Sequence, residues 1–188
     1  PILIADSNNR ESLDKLVSKT KVICTTVGPY ALYGTALVEA CVESGTDYCD
    51  LTGEVQWMNR IIKNYEEKAK QTGARIVHTC GFDSIPSDLG TYFVQEEMMK
   101  QQHVYAKKVT ARMGQSSGSA SGGTIASLLN VLDEAKKDPS IRRVMGDPYS
   151  LCPPSLAPGK DGSDQSTFKY DSTFSQWRSE ERRVGKEC

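Results

Sequence analysis

The stretch KVICTTVGPYALYGTALVEACVESGTDYCDL, Lys21 to Leu51, decides the fold. Lys21–Val27 is apolar and β-branched, as in a strand buried on both faces of a parallel sheet. Thr35–Ser44 carries apolar residues at helical spacing, with Gly45 placed to stop the helix in the left-handed conformation. Asp47–Leu51 then reads as a second strand. A strand, a helix and a strand joined by short turns form a right-handed parallel crossover.

The same rhythm extends outward from this unit. Upstream, Ile2–Ala5 reads as a strand, and Asn8 with Glu11 three residues later reads as a capping box opening a short helix with Leu13, Leu16 and Val17 on its buried stripe. Downstream, Glu54–Thr72 predicts a long helix with Trp57, Met58, Ile61, Ile62, Tyr65 and Ala69 on its apolar face, closed by Gly73. Arg75–Cys80 predicts a fourth strand, and Pro86 starts a helix that reaches Lys100. The expected fold class is α/β, a Rossmann-type doubly wound parallel sheet entered downstream of its first βαβ unit and followed by the start of an α+β domain. Residues 1–101 make the dinucleotide-binding part and 102–177 the opening of a second domain for substrate or dimerisation. In that second part, Val104–Met113 alternates like a strand, Thr124–Lys137 is helical, and the proline-rich segment beyond Asp138 reads as loop. The last residues, RSEERRVGKEC (Arg178–Cys188), resemble the translation of a sequencing-library adapter and are expected to be a non-native tail.

Composition narrows the function classes. With 38% hydrophobic and 25% charged residues the chain suits a globular protein, and a formal charge of −1 gives no field to attract nucleic acid or anionic lipid. No apolar run is long enough to span a bilayer. The six cysteines form no C-x-x-C pair and there are only two histidines, so no zinc site is expected. Cys24, Cys49 and Cys80 sit in apolar strand-like runs and read as buried free thiols in a reducing, intracellular compartment; cytoplasm, lipid droplet and mitochondrion are not distinguished.

In open parallel sheets, ligands bind beyond the carboxyl ends of the strands. Asp6, Gly28-Pro29-Tyr30, Thr52-Gly53-Glu54 and Gly81-Phe82-Asp83-Ser84 all fall at such ends. Asp6 is either a turn residue or a carboxylate for an adenine amine. Gly28-Pro29 is either plain turn chemistry or a close approach to a cofactor, with the helix N-terminus beyond it offering a positive dipole end. Glu54 favours the N-terminus of its own helix, Ser84 is a helix cap or a proton donor, and Tyr30 is packing or a donor. His78, inside an apolar strand, reads as a core residue in preference to a general base. The Gly114–Gly123 stretch has no Gly-Lys-Ser/Thr signature, which excludes a P-loop.

Two long motifs, TVGPYALYGTALVEACVESGTDYCDLTGE (Thr26–Glu54) and CGFDSIPSDLG (Cys80–Gly90), resemble the saccharopine dehydrogenase-like oxidoreductases. The later SGGTIAS (Ser121–Ser127) is similar to the version shared with trans-acting enoyl reductases. The resemblance implies an NAD(P) cofactor, with NADP slightly favoured, held by Asp6, Gly28, Pro29, Tyr30, Gly81, Phe82 and Asp83. It also implies reduction of a lipid-related enoyl or imine substrate by hydride transfer. The resemblance carries over no catalytic residue; from their own positions, Tyr30 and Ser84 are the candidate proton donors. A small-molecule or lipid-like substrate, no nucleic acid, no metal, membrane contact only through other segments and a homodimer are the expected partners. The alternative is a non-catalytic Rossmann scaffold or nucleotide sensor at lipid droplets or membranes. The glycine-rich phosphate loop of such domains is not present in the sequence.

Overall fold

The computed structural model describes residues 2–107, 109, 121–147, 149–153, 155, 169–172 and 175–178. They form an α/β arrangement containing a three-stranded parallel sheet and a separate two-stranded antiparallel one. The chain divides into two compact units. The first takes residues up to Phe82 together with Ser119–Leu151, and the second takes Asp83–Gly118 with the chain after Cys152. The helices after residue 121 therefore pack with the sheet-bearing unit and not within the second domain expected from 102 onward.

The first unit begins irregularly. Ile2–Ala5 forms no strand, and Ile2 and Ile4 are almost wholly exposed. The expectation fails because apolar, extended residues hold a strand only when a neighbour takes up their backbone N–H and C=O groups, and no described strand does so. Helix α1 (Arg10–Val17) follows, capped not by Asn8 but by Asn9, whose side chain accepts the Ser12 N–H at 3.1 Å. Leu13 and Val17, one turn apart, are its buried pair.

Strand β1 (Val22–Thr25) leads into a one-turn helix α2 (Tyr30–Tyr33), then α3 (Thr35–Ser44), β2 (Asp47–Asp50), α4 (Val55–Thr72) and β3 (Ile76–Val77). Gly45 and Gly73 end α3 and α4 at φ 71° and 79°, a backbone region in which only glycine is unstrained. The strands run in the order β1-β2-β3, all parallel, with Cys24 opposite Cys49 and Tyr48 opposite Ile76. Alternation then sorts the residues. Ile23, Tyr48 and Ile76 face a core made with Val38, Cys41 and Val42 of α3 and Trp57, Met58 and Ile61 of α4. On the opposite face Val22 and Val77 are each 51% exposed, so the helices of this unit cover one face of the sheet.

Helices α5 (Ile85–Gln102), α6 (Gly122–Lys137) and α7 (Pro139–Gly146) complete the helical set. The proline-rich segment after Asp138 is thus partly helical, against the loop reading. Asp138 caps α7 by accepting the Ser140 N–H, and Pro139 at the first position needs no hydrogen-bond partner. An Arg60–Glu134 ion pair and an Asn59 amide donating to the Ser150 carbonyl fasten α4 to α6 and to the chain after α7.

The second unit contains α5 and an antiparallel pair, β4 (Lys169–Asp171) with β5 (Gln176–Arg178). Arg178 thus belongs to a strand; the remainder of the adapter-like tail lies outside the described residues, as do positions 110–113 of the expected Val104–Met113 strand and most of the Gly114–Gly123 stretch. Within this unit the Gln95 amide exchanges two hydrogen bonds with the Ala106 backbone, at 2.7 and 3.1 Å. No helix of the described residues is long and apolar enough to cross a membrane.

Candidate functional site

The carboxyl ends of β1, β2 and β3 are tied together by two buried carboxyl groups. Asp50, at the end of β2, is 2% exposed. Its Oδ2 accepts the Tyr48 hydroxyl at 3.0 Å and stands 2.7 Å from His78 Nδ1. Its Oδ1 accepts the backbone N–H of Thr52 and of Thr79, at 3.1 and 3.2 Å. The β2 exit and the β3 exit are therefore fixed by one side chain. Burial raises the Tyr48 hydroxyl pKa well above its ordinary value, with the Asp50 charge adding to it, so Tyr48 remains a donor.

His78 keeps the core position read from the sequence, packed edge-on against Trp57 and Tyr48. Its carboxylate partner was not legible there. With Nδ1 committed to Asp50, Nε2 is buried and has no hydrogen-bond partner. The next residue, Thr79, sits at φ 59°, which a β-branched residue adopts only at a cost. The Asp50 bond to its N–H holds it there. Gly81 follows, and a methyl group in its place would lie 2.9 Å from Leu51 Cβ, so the β3 exit passes too close to the β2 exit for any side chain.

Glu54, also 2% exposed, is the second tie. It stands at the start of α4, yet its side chain serves a different helix. Oε1 accepts the Tyr30 N–H at 2.7 Å and Oε2 accepts the Ala31 N–H at 3.0 Å, which caps α2. The Ser127 hydroxyl of α6 donates to Oε1 at 2.9 Å. The expectation that Glu54 supports its own helix is corrected. So is the expectation that the helix start beyond Gly28-Pro29 is open to an anion, because an internal carboxyl group already takes its N–H donors.

Gly28 and Pro29 are joined by a cis peptide bond. Tyr30 is buried, tilted against Trp57 at 5.6 Å between ring centroids, and its hydroxyl donates to the Thr25 carbonyl at 3.3 Å. Burial raises its pKa. A side chain at Gly28 would meet the Tyr30 ring at 3.3 Å and Ser127 Oγ at 3.6 Å, so the Thr26–Glu54 and Ser121–Ser127 motifs meet in space. By contrast, a side chain on Gly53 would meet nothing within 4 Å, leaving that backbone accessible.

The other expected site residues are placed as follows. Asp6 is exposed and makes a local turn, accepting the Asn8 N–H at 2.9 Å, with no strand leading into it. Phe82 is 70% exposed and ends the first unit. Asp83 and Ser84 open the second unit. Ser84 precedes α5 and accepts the Ser87 and Asp88 N–H groups through its carbonyl, while its side chain makes no cap hydrogen bond. The described residues contain no cluster of three or more His, Cys, Asp or Glu suited to a metal ion. An open depression lined by Lys21, Thr46, Asp47 and Arg75 lies at the opposite, amino-terminal end of the strands.

Comparison with known proteins adds a chemical direction. The chain is 45% identical over 166 residues to a Mycobacterium tuberculosis protein that carries the provisional name of a trans-acting enoyl reductase, covering 86% of this chain and 40% of that one. It is 38% identical over 175 residues to a trans-acting enoyl reductase of Mycobacterium ulcerans, covering 87% of this chain and 40% of the relative. A trans-acting enoyl reductase of Mycobacterium bovis is 38% identical over 162 residues, with 80% and 36% covered. The chain thus spans about 40% of the length of the curated relatives it matches. No family model matches it, and no solved structure matches it.

Proposed function

We propose that this chain is part of an NAD(P)-dependent oxidoreductase that reduces an enoyl group on a small, lipid-related molecule, and that it contributes a portion of the cofactor rim. The observation that carries this reading is the similarity to enoyl reductases over 80–87% of the chain. The convergence of the matched motifs at the carboxyl ends of a parallel sheet supports it.

The residues present fit one part of a dinucleotide and not another. The open backbone at Gly53, beside the Gly28-Pro29 turn, suits close approach of a neutral ring or ribose. A pyrophosphate does not fit at α2, whose N–H donors are held by Glu54. In the proposed reaction a bound nicotinamide supplies the hydride. This chain's own residues then shape the rim: Glu54 and Asp50 fix the loops, and Gly28, Pro29, Gly81, Phe82 and Asp6 remain the proposed cofactor contacts of the first unit. Membership of the saccharopine dehydrogenase-like oxidoreductases, a preference for NADP and a homodimeric state belong to the same proposal.

Of the proposed proton donors, Tyr30 has to release the Thr25 carbonyl to act, whereas Ser84 makes no cap hydrogen bond that it would have to give up. The test uses a protein of the relatives' full length containing this segment, assayed for enoyl-dependent NADPH oxidation. Turnover is expected, and Tyr30→Phe should lower it by more than tenfold if that hydroxyl donates the proton. Wild-type turnover in Tyr30→Phe would remove it from the reaction, and NADPH binding without any turnover across enoyl substrates would favour a nucleotide-sensing scaffold. The 188-residue chain alone is expected to bind NADPH weakly, as read by fluorescence titration.

A further inference from the structure

The strands place thiols where the sequence suggested inert core positions. Cys24 and Cys49 are direct register partners on β1 and β2, so their side chains leave the same face of the sheet. That face is the uncovered one. Cys24 is exposed and Cys49 is part-buried, and both are free thiols. Neighbouring strands lie about 4.8 Å apart, inside the roughly 4.4–6.8 Å range of Cα separations that a disulfide spans. Cys80, the third thiol nearby, is engaged otherwise, donating to the Val77 and His78 carbonyls at 3.6 and 3.7 Å. Cys41 is fully buried on the other side of the sheet, and Cys152 is already disulfide-bonded.

We propose that Cys24 and Cys49 are a peroxide-responsive dithiol that closes to a disulfide across β1 and β2. The exposed Cys24 reacts first. Its thiolate attacks one peroxide oxygen, the O–O bond breaks, and hydroxide leaves to give a sulfenic acid. Cys49 then attacks the Cys24 sulfur, the S–O bond breaks, and the oxygen departs as hydroxide. The two thiol protons neutralise the two hydroxides, so two thiols and one hydrogen peroxide give one disulfide and two waters. Burial, and after it the neighbouring Cys24 thiol, push the Cys49 pKa up to about 11, so Cys49 is a poor first nucleophile toward peroxide and the first attack falls to the exposed Cys24. The bond would join the roots of the two rim loops, since Cys49 precedes Asp50 and Cys24 precedes Thr25, the acceptor of the Tyr30 hydroxyl.

The experiment treats the folded full chain with graded hydrogen peroxide, blocks the remaining thiols by alkylation, and maps peptides. Chymotrypsin is needed, because no Lys or Arg separates Cys24 from Cys49. The expected result is a cross-linked Cys24–Cys49 peptide that dithiothreitol reverses, absent in Cys24→Ser and in Cys49→Ser and retained in Cys80→Ser. Sulfinic or sulfonic acid accumulating on Cys24 while Cys49 stays reduced would overturn the proposal. So would a link from Cys24 to Cys80, or an absence of oxidation at doses that oxidise a free cysteine peptide. The wild-type map decides the question even if a variant fails to fold.

Discussion

Replacing Glu54 by alanine should strongly destabilise the first unit. The side chain accepts three hydrogen bonds at 2.7–3.0 Å from Tyr30, Ala31 and Ser127 while itself only 2% exposed. Two of the three donors are backbone N–H groups at the start of α2, and α2 has no other side-chain cap. Each donor stranded without a partner costs about 1–3 kcal/mol. Ser127, part-buried on α6, can turn its hydroxyl elsewhere and adds less. A loss of about 3–5 kcal/mol follows. Glu54→Gln preserves the shape and one acceptor oxygen but turns an NH2 toward an N–H donor, so it should lose about 2–3 kcal/mol. Urea unfolding reads this directly. A Trp177→Phe background leaves Trp57, which packs against Tyr30, as the only tryptophan, read selectively by excitation near its red edge. With a slope of about 1–3 kcal/mol per molar, the alanine variant should shift the midpoint down by roughly 1–5 M, or fail to fold. An alanine variant within about 1 kcal/mol of wild type would refute the reasoning, because the carboxyl group would then not be what satisfies those donors.

Gly34→Ala tests the other side of the same corner. The added methyl group would lie 2.8 Å from both Trp57 Cζ2 and the Tyr30 carbonyl, and overpacking of that kind costs about 1–3 kcal/mol, measurable by the same unfolding curves. Acid should weaken the packing of α1, α3 and α4. Hydrogen bonds from Lys68 and then Arg10 hold the Glu43 carboxyl below its ordinary 4.5, and Arg75 holds Asp47 below 3.8. Because these carboxyls bind protons less readily when folded, their contribution is present above the ordinary range and is lost as pH falls through and below it. Urea midpoints from neutral pH down to acid should therefore fall less steeply in Glu43→Gln than in wild type, and less steeply in high salt; parallel curves would remove Glu43 from the account.

How much of this was legible beforehand depended on how local the physics was. The bounds of α3 and α4 could be read almost to the residue because their stops are glycines whose need for a positive φ is written into single positions, Gly45 and Gly73. The strand at Ile2–Ala5 was misread for the opposite reason: its apolar pattern says nothing about whether a partner stands beside it. The Asn8 cap was off by one because Asn8 and Asn9 are adjacent, equally good acceptors, and only geometry chooses between them. The segment after Asp138 has the closely spaced prolines of a loop, yet Pro139 at a first helical position starts a helix as readily as it prevents one.

The site shows the same limit in sharper form. Composition could locate the rim, because Gly28-Pro29, Gly53 and Gly81 each follow an apolar run. It could not say which charges were spoken for. Glu54 is 24 residues from Tyr30 and 73 from Ser127, and meets both only in three dimensions. His78 and Asp50 are separated by 28 residues and become a pair only when β3 lies beside β2. One signal was available: Tyr48 and Asp50, two apart on a strand, must share a face, and a carboxyl group on the face of a buried tyrosine needs donors. Asking where those donors lie leads to residues just past the next strand, His78 and Thr79, since parallel neighbours end at the same edge. A rim whose acidic groups are both consumed internally has no carboxyl group left over at α2 for a cofactor hydroxyl, and no free helix start there for a phosphate. Under the proposed function, what α2 would offer a dinucleotide is shape and not charge.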